Sequence, residues 1–345
     1  MSKSRRNKPI YMATVVPGLE NIAFQEICTK FPTAGTVDSQ KGKVFFHYEN
    51  SYKDLFALKC VDNIYFYIGS FGIGPHKVDL LQVESKIKSL NVINRILQIE
   101  KDIKGKRIIV SASRSGKHTY SRFDIADTFL DALLGYHFFV RGTVEQHDLA
   151  FRVDVDKDKA FLHLKLTPPT FRFRGKDREF LTGALRPSVA HSMVLISEPE
   201  STDVFLDPFC GSGTIPYERS FYDAFAILAS DISAERLEVA RKNLPEYIGI
   251  NRWDACNTEM IDNSVTKIVS NLPWGKQIQV DDINRLYVNF LKEAKRILAP
   301  GGRMVLLTDE ENALFTAAEI NGFSISKVCT ISLHGLHPSI FMLEK

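Results

Sequence analysis

D-V-F-L-D-P-F-C-G-S-G-T, residues 203–214, is the stretch that decides the fold of this chain. Residues 204–206 form an apolar run of buried-strand length, Asp207 stands where that strand ends, and Pro208 cannot donate another ladder bond. The chain must then turn sharply. Gly211 and Gly213 permit backbone conformations closed to other residues and let a ligand approach the main chain, and Thr214 opens a helix. Strand, glycine turn and helix in that order predict a nucleotide-type cradle in an α/β domain.

The features this cradle lacks narrow its ligand. A dinucleotide fingerprint needs a third glycine where this chain has Pro216, and a phosphate loop needs Gly-Lys-Ser/Thr, so neither template fits. The ligand need not carry phosphates. Asp207 is ill placed beside a pyrophosphate but suits a cationic amine, which points to S-adenosylmethionine, positive at its amino acid end and at its sulfonium.

The chain has 345 residues, enough for two or three domains, and 44% hydrophobic and 25% charged residues, as in soluble globular proteins. No apolar run approaches the roughly 20 residues of a membrane span, and the basic start, residues 1–8, lacks the apolar region of a signal peptide. Five cysteines are scattered without a C-x-x-C pair, which suits reduced thiols rather than a disulfide framework or a zinc site. A cytoplasmic protein is expected, without membrane or metal. The net charge of +3 conceals a division: residues 1–180 carry 29 Lys/Arg against 20 Asp/Glu, or +9, and residues 181–345 carry 15 against 21, or −6. A basic half predicts a polyanionic partner, and an acidic half suits a cationic cofactor.

In the basic half, residues 10–16 and 43–48 read as strands flanking a helix at 19–31, followed by a helix at 51–60 and a strand at 64–68. This predicts a small ferredoxin-like domain over residues 1–72. An amphipathic helix is expected over 80–99 and a strand over 107–112. R-I-I-V-S-A-S-R-S-G-K-H-T-Y-S-R-F-D-I-A-D, residues 107–127, then sets Arg114, Lys117, His118 and Arg122 around a glycine turn, with Tyr120 among them and Ser121 as a helix cap. Cations interleaved with an aromatic suit phosphates and unpaired bases. A helix at 125–136 and strands at 150–155 and 160–166 complete the unit. This segment resembles the THUMP domain of RNA-modifying enzymes, placed here at residues 73–166; the resemblance implies RNA binding. Residues 167–180, T-P-P-T-F-R-F-R-G-K-D-R-E-F, read as a linker whose cations, Arg172 and Arg174 among them, are added to the RNA-binding candidates.

In the acidic half, residues 181–345, a helix over 185–196 can start at Pro187 and leads into the cradle strand. Residues 227–230 form a second short strand ending at Asp231, which at that position can accept both ribose hydroxyls. Residues 234–243 are helical. Asp254 closes a third loop, where a carboxylate can accept from an adenine amino group. A strand at 266–270 runs into N-L-P-W-G, residues 271–275. Methyl transfer to a planar exocyclic amine needs acceptors that draw its hydrogens and aim its lone pair. Asn271 with the Leu272 or Pro273 carbonyl supplies them, Trp274 stacks on the base, and Gly275 admits close backbone approach.

The last 165 residues are similar to class I S-adenosylmethionine-dependent methyltransferases, a Rossmann-like sheet with helices on both faces. D-P-F-C-G-S-G-T stands for the family's cofactor motif and N-L-P-W-G resembles its N/D-P-P-Y/F/W motif. The resemblance implies cofactor contacts at Asp207, Pro208, Cys210, Gly211, Gly213, Thr214, Asp231, Ile232, Asp254, Ala255 and Asn271, and catalysis at Asn271, Leu272, Pro273 and Trp274. Residues 299–307 resemble the fold's fifth strand and 323–343 its closing hairpin. With a THUMP segment in front, the chain resembles tRNA guanine-N2 methyltransferases, whose motif is commonly N-L-P-Y/F-G. Leu272 departs from the N-P-P-Y of adenine-N6 enzymes, and Asn271 from D-P-P-Y. The resemblance implies tRNA as partner, with the sixth nucleotide of the acceptor stem favoured and an activating subunit left open. Guanine-N2 methylation of ribosomal RNA, methylation at another tRNA position and a non-catalytic RNA-binding protein are the alternatives; the intact Asp207, Gly211, Gly213, Asp231 and Asn271 set speaks against the last.

Overall fold

The computed structural model describes residues 8–274, 282–333 and 335–345; Gly275 lies outside the described residues. The first half contains β1 (Ile10–Thr14), α1 (Glu20–Lys30), β2 (Gly35–Gln40), β3 (Lys43–His47), β4 (Asn63–Gly72), α2 (Val83–Ser89) and α3 (Val92–Ile96). It continues through β5 (Lys106–Ser115), α4 (Arg122–Leu134), β6 (Phe139–Arg141), β7 (Leu149–Asp156) and β8 (Lys159–Lys165). All eight strands join one sheet in the order β2-β3-β1-β4-β8-β7-β5-β6. The ferredoxin-like and second α/β units, expected as separate domains meeting at residue 72, are thus continuous. Strand β4 pairs antiparallel with β8 from Tyr65↔Lys165 to Gly72↔Lys159, and Phe46, Phe66, Phe129 and Phe151 share one core.

Two expected helices come out differently. Residues 51–60 hold only a 3-10 turn, Tyr52–Ala57, which the Ser51 hydroxyl caps by accepting from the Lys53 amide. The helix expected over 80–99 is broken between α2 and α3 at Asn91, with φ of 52°. Asparagine is among the few residues that enter the left-handed region readily, so the apolar spacing persists while the helix axis changes direction. Ser121 caps α4 as expected, in a reciprocal box with Asp124.

The second half contains α5 (Pro187–Ile196), β9 (Val204–Asp207), α6 (Thr214–Arg219), β10 (Ala226–Ser230), α7 (Ala234–Asn243), β11 (Gly249–Asn251) and β12 (Val265–Asn271). Then follow α8 (Ile283–Ile297), β13 (Leu298–Thr308), α9 (Glu311–Asn321), β14 (Ser324–Thr330) and β15 (Ser339–Glu344). The strand order is β11-β10-β9-β12-β13-β15-β14, with β9 to β13 mutually parallel and β15 antiparallel to both its neighbours. Adjacent residues of β9 point to opposite faces: Phe205 packs with Val189 and Leu237, and Leu206 with Phe290 and Leu314. Helices therefore cover both faces, and the strand order reverses between β9 and β12. Ligands in open α/β sheets bind at the carboxyl ends of the strands beside such a reversal. Here those ends are Asp207 and Asn271. No helix among the described residues is long and apolar enough to cross a membrane.

The two halves are packed together. Val16 and Leu19, from the loop after β1, are buried in the same apolar cluster as α5. Gly18 sits at φ of 103°, and a Cβ there would lie 2.1 Å from the Thr330 carbonyl oxygen. The Ser332 amide donates to the Pro17 carbonyl at 2.9 Å. A buried polar cluster adds to this: Glu26 accepts from the Lys59 and Cys60 amides, and His191 bonds Glu218 and Tyr222 at 3.0 Å each. Arg174 belongs to this junction, which corrects its expected place among the RNA contacts. Its guanidinium is 3% exposed, lies 3.0 Å from the buried Glu218, and also donates to the Lys59 carbonyl. A phosphate would have to displace both partners.

Candidate active site

A cavity of about 600 Å³ opens at the carboxyl ends of β9, β10 and β12, and all the expected cofactor and catalytic residues line it except Gly213, which lies between the lining residues Ser212 and Thr214 in the chain. Gly211 and Gly213 take φ of 52° and 83°, the left-handed backbone the turn requires, and a Cβ on Gly213 would approach the Leu244 side chain to 2.8 Å. Asp231 ties the turn to the second strand by accepting from the Gly211 and Ser233 amides, each at 3.0 Å, which leaves further lone pairs on both oxygens. The Asp254 carboxylate accepts from the Cys256 amide at 2.9 Å, and Ile232 presents an exposed apolar side chain at the rim.

Asp207 is 1% exposed and accepts from the Ser270 hydroxyl at 2.6 Å and from the Phe209 amide at 3.2 Å. Burial pushes its carboxyl up to about 7, and the neighbouring Asp231 adds to the rise. A buried carboxylate so placed gains from a cationic ligand. The Thr214 hydroxyl oxygen is buried in the same wall and has no hydrogen-bond partner among the described residues. An acid for an ammonium, a second acid for vicinal hydroxyls, an orphan hydroxyl for a carboxylate and an apolar rim for a flat ring together fit S-adenosylmethionine.

At the far side of the cavity, Leu272 is buried and its amide donates to the Leu307 carbonyl at 3.0 Å, which continues the β12 pairing into the motif. The Pro273 carbonyl accepts from the Tyr287 hydroxyl at 2.8 Å, and that hydroxyl also meets the Thr308 hydroxyl at 2.7 Å. Of the two carbonyls the sequence left open, that of Pro273 therefore has one lone pair taken by α8. The Trp274 indole N–H donates to Asn271 Oδ1 at 2.9 Å. Sequence reasoning missed Tyr287, on the apolar face of α8, and the wall formed by Leu181, Thr182, Gly183 and Ala184 just after the expected linker. The heptad-like spacing of Tyr287, Phe290, Leu291 and Ala294 was a legible helix signal; nothing in residues 181–184 marks a ligand wall.

Of the remaining RNA-binding candidates, Arg114, Lys117, Arg122 and Arg172 are exposed. His118 is partly buried, with its Nε2 2.6 Å from the Lys157 carbonyl, so it braces the turn around Gly116. Tyr120, expected as a stacking surface among these cations, is 1% exposed and donates to the Gly74 carbonyl at 2.9 Å. It is a core residue.

Residues 174–339 match the family described as RMKL-like, methyltransferase domain. The tRNA (guanine(6)-N2)-methyltransferase of Thermus thermophilus is 27% identical over 343 residues, covering 96% of this chain and 98% of its own. The tRNA (guanine(6)-N(2))-methyltransferase THUMP3 of Bos taurus is 28% identical over 258 residues, covering 68% of this chain and 51% of its own, so the present chain spans about half of that relative. The crystal structure of TrmN from Thermus thermophilus superposes with a TM-score of 0.79 at 25% identity, covering 98% of this chain and 99% of that one.

Proposed function

We propose that this chain is an S-adenosylmethionine-dependent methyltransferase acting on the exocyclic N2 amine of a guanine in tRNA, at the sixth nucleotide. The observation that carries the proposal is the juxtaposition of Asp207 and Asn271 at neighbouring strand ends in one cavity, with N-L-P-W between the cavity and α8. Relatives that align over nearly the whole chain are named for this reaction, which supports the choice of substrate.

When bound, the cofactor supplies an electrophilic methyl group on a sulfonium centre. Asp207 and Asp231 hold its cationic and hydroxyl-bearing ends. Asn271 Oδ1 and the Leu272 carbonyl accept the two amine hydrogens, which turns the nitrogen lone pair toward the methyl carbon and stabilises positive charge as it develops on nitrogen. Trp274 stacks on the base. An amine paired within a stem is out of reach, so the guanine is flipped into the cavity. We read residues 73–166 as the THUMP domain and Arg114, Lys117, Arg122 and Arg172 as contacts to the tRNA backbone. The cytoplasm is the compartment we assign, since all five cysteines are unpaired thiols.

Incubating the purified chain with unmodified tRNA and labelled cofactor, then separating nucleosides, tests the proposal. Label should elute as N2-methylguanosine. Label in adenosine alone, or label taken up by ribosomal RNA and refused by tRNA, overturns it.

A further inference from the structure

Trp274 does more at this site than offer a ring. Asn271 can serve as acceptor only if its amide oxygen faces the amine. The two ends of an amide are nearly the same size, and a flipped Asn271 would set its own N–H groups against those of the substrate. Something must choose between the two orientations. The indole N–H of Trp274 is a donor with no acceptor capacity, it lies 2.9 Å from Asn271 Oδ1, and both residues line the cavity. Among the described residues it is the one hydrogen-bond partner of the Asn271 side chain. An oxygen has two lone pairs, so the bond leaves one for the substrate. Tyrosine and phenylalanine keep a ring at this position but carry no N–H there.

We propose that Trp274 is a positioning residue whose indole N–H fixes the orientation of the Asn271 amide, separately from the stacking of its ring. The inference rests on the proposed guanine-N2 chemistry for its kinetic consequences, and on geometry alone for the bond itself. Replacing Asn271 by aspartate makes the two ends identical, so the orienting bond should then lose its value.

The experiment is a double-mutant cycle with a spectroscopic arm. Trp274→Phe should lower kcat about tenfold while KM for tRNA changes less than about threefold, the pattern of a lost transition-state interaction rather than lost binding. In the Asn271→Asp background the same substitution should cost less than about twofold. The spectroscopic arm needs no turnover. The chain has 2 tryptophans, so the indole N–H resonance of Trp274 is assigned in a 15N-labelled sample by its absence from Trp274→Phe. It should move upfield in Asn271→Ala, as for a proton released from a hydrogen bond. The proposal is overturned if that resonance does not move, if Trp274→Phe raises KM and spares kcat, or if it costs as much in the Asn271→Asp background as in the wild-type chain. Absence of turnover by the wild-type chain would sink the functional reading instead, with the resonance still deciding the bond.

Discussion

Asp207 is the residue through which pH should act most directly. Its carboxyl is raised from 3.8 to about 7 by burial, so below that pH the free protein favours the protonated form. A carboxyl raised in the folded state favours folding at low pH and withdraws that support as pH rises from about 4 through 7. At pH 8 the buried charge costs on the order of 4 kcal/mol. A cationic ligand reverses this preference. Cofactor affinity should therefore climb between pH 6 and 8 in calorimetric titration, and Asp207→Asn should flatten the climb. The same variant should raise the Tm of the free protein at pH 8 and raise it less at pH 5; an unaltered Tm at both would show that Asp207 does not carry the buried charge. Asp231 and Asn271 should separate binding from chemistry. Asp231→Ala should weaken cofactor binding by about 1–3 kcal/mol, the range for a lost charge-assisted bond. Asn271→Ala should keep that binding and lose kcat. These residues were legible because each follows a short apolar strand. Arg174 and Tyr120 were misread for the opposite reason: the partners that bury them, Glu218 and Gly74, lie 44 and 46 residues away.

The element that holds the proposed catalytic motif is α8, through one hydroxyl. Tyr287→Phe keeps the buried ring but removes the hydroxyl that donates to the Pro273 carbonyl and leaves the Thr308 hydroxyl with the Glu310 amide, which costs about 1–3 kcal/mol of stability. If the hydroxyl positions the motif, kcat should fall further than stability loss explains, with cofactor affinity preserved. Equal turnover per folded molecule would make Tyr287 a packing residue only. Strands β9 and β10 were readable because a strand buried on both faces is nearly continuously apolar, and β12 because Ile268 and Val269 stand just ahead of the N-L-P-W motif. Strands β2 and β6 were not: one is a polar edge strand, G-T-V-D-S-Q, and the other has three residues. The break at Asn91 left no signal because apolar spacing carries straight across it.

At the scale of the molecule, the halves behave as one packed unit, which the charge division alone does not reveal. The pairing of β4 with β8 joins residues a hundred positions apart, and such contacts leave no local signal. A truncation at residue 181 would strip Arg174 from the buried Glu218 and uncover the seat of Val16 and Leu19. Breaking such a buried pair typically costs about 3–5 kcal/mol. Point changes are the cleaner test of the basic half. Neutralising Arg114, Lys117 and Arg122 together should raise KM for tRNA and flatten its dependence on salt, with cofactor affinity intact. Gly18→Ala, which sets a Cβ against the Thr330 carbonyl, should lower Tm by prying at the junction.

The atom that receives the methyl group decides the function most directly. Two otherwise identical tRNAs, one with guanosine and one with inosine at the sixth nucleotide, differ there only by the exocyclic N2 amine. With labelled S-adenosylmethionine and the full chain, the guanosine tRNA should accept about one methyl group per molecule and the inosine tRNA none. Equal labelling of the two would contradict the assignment of Asn271 and Leu272 as acceptors for that amine.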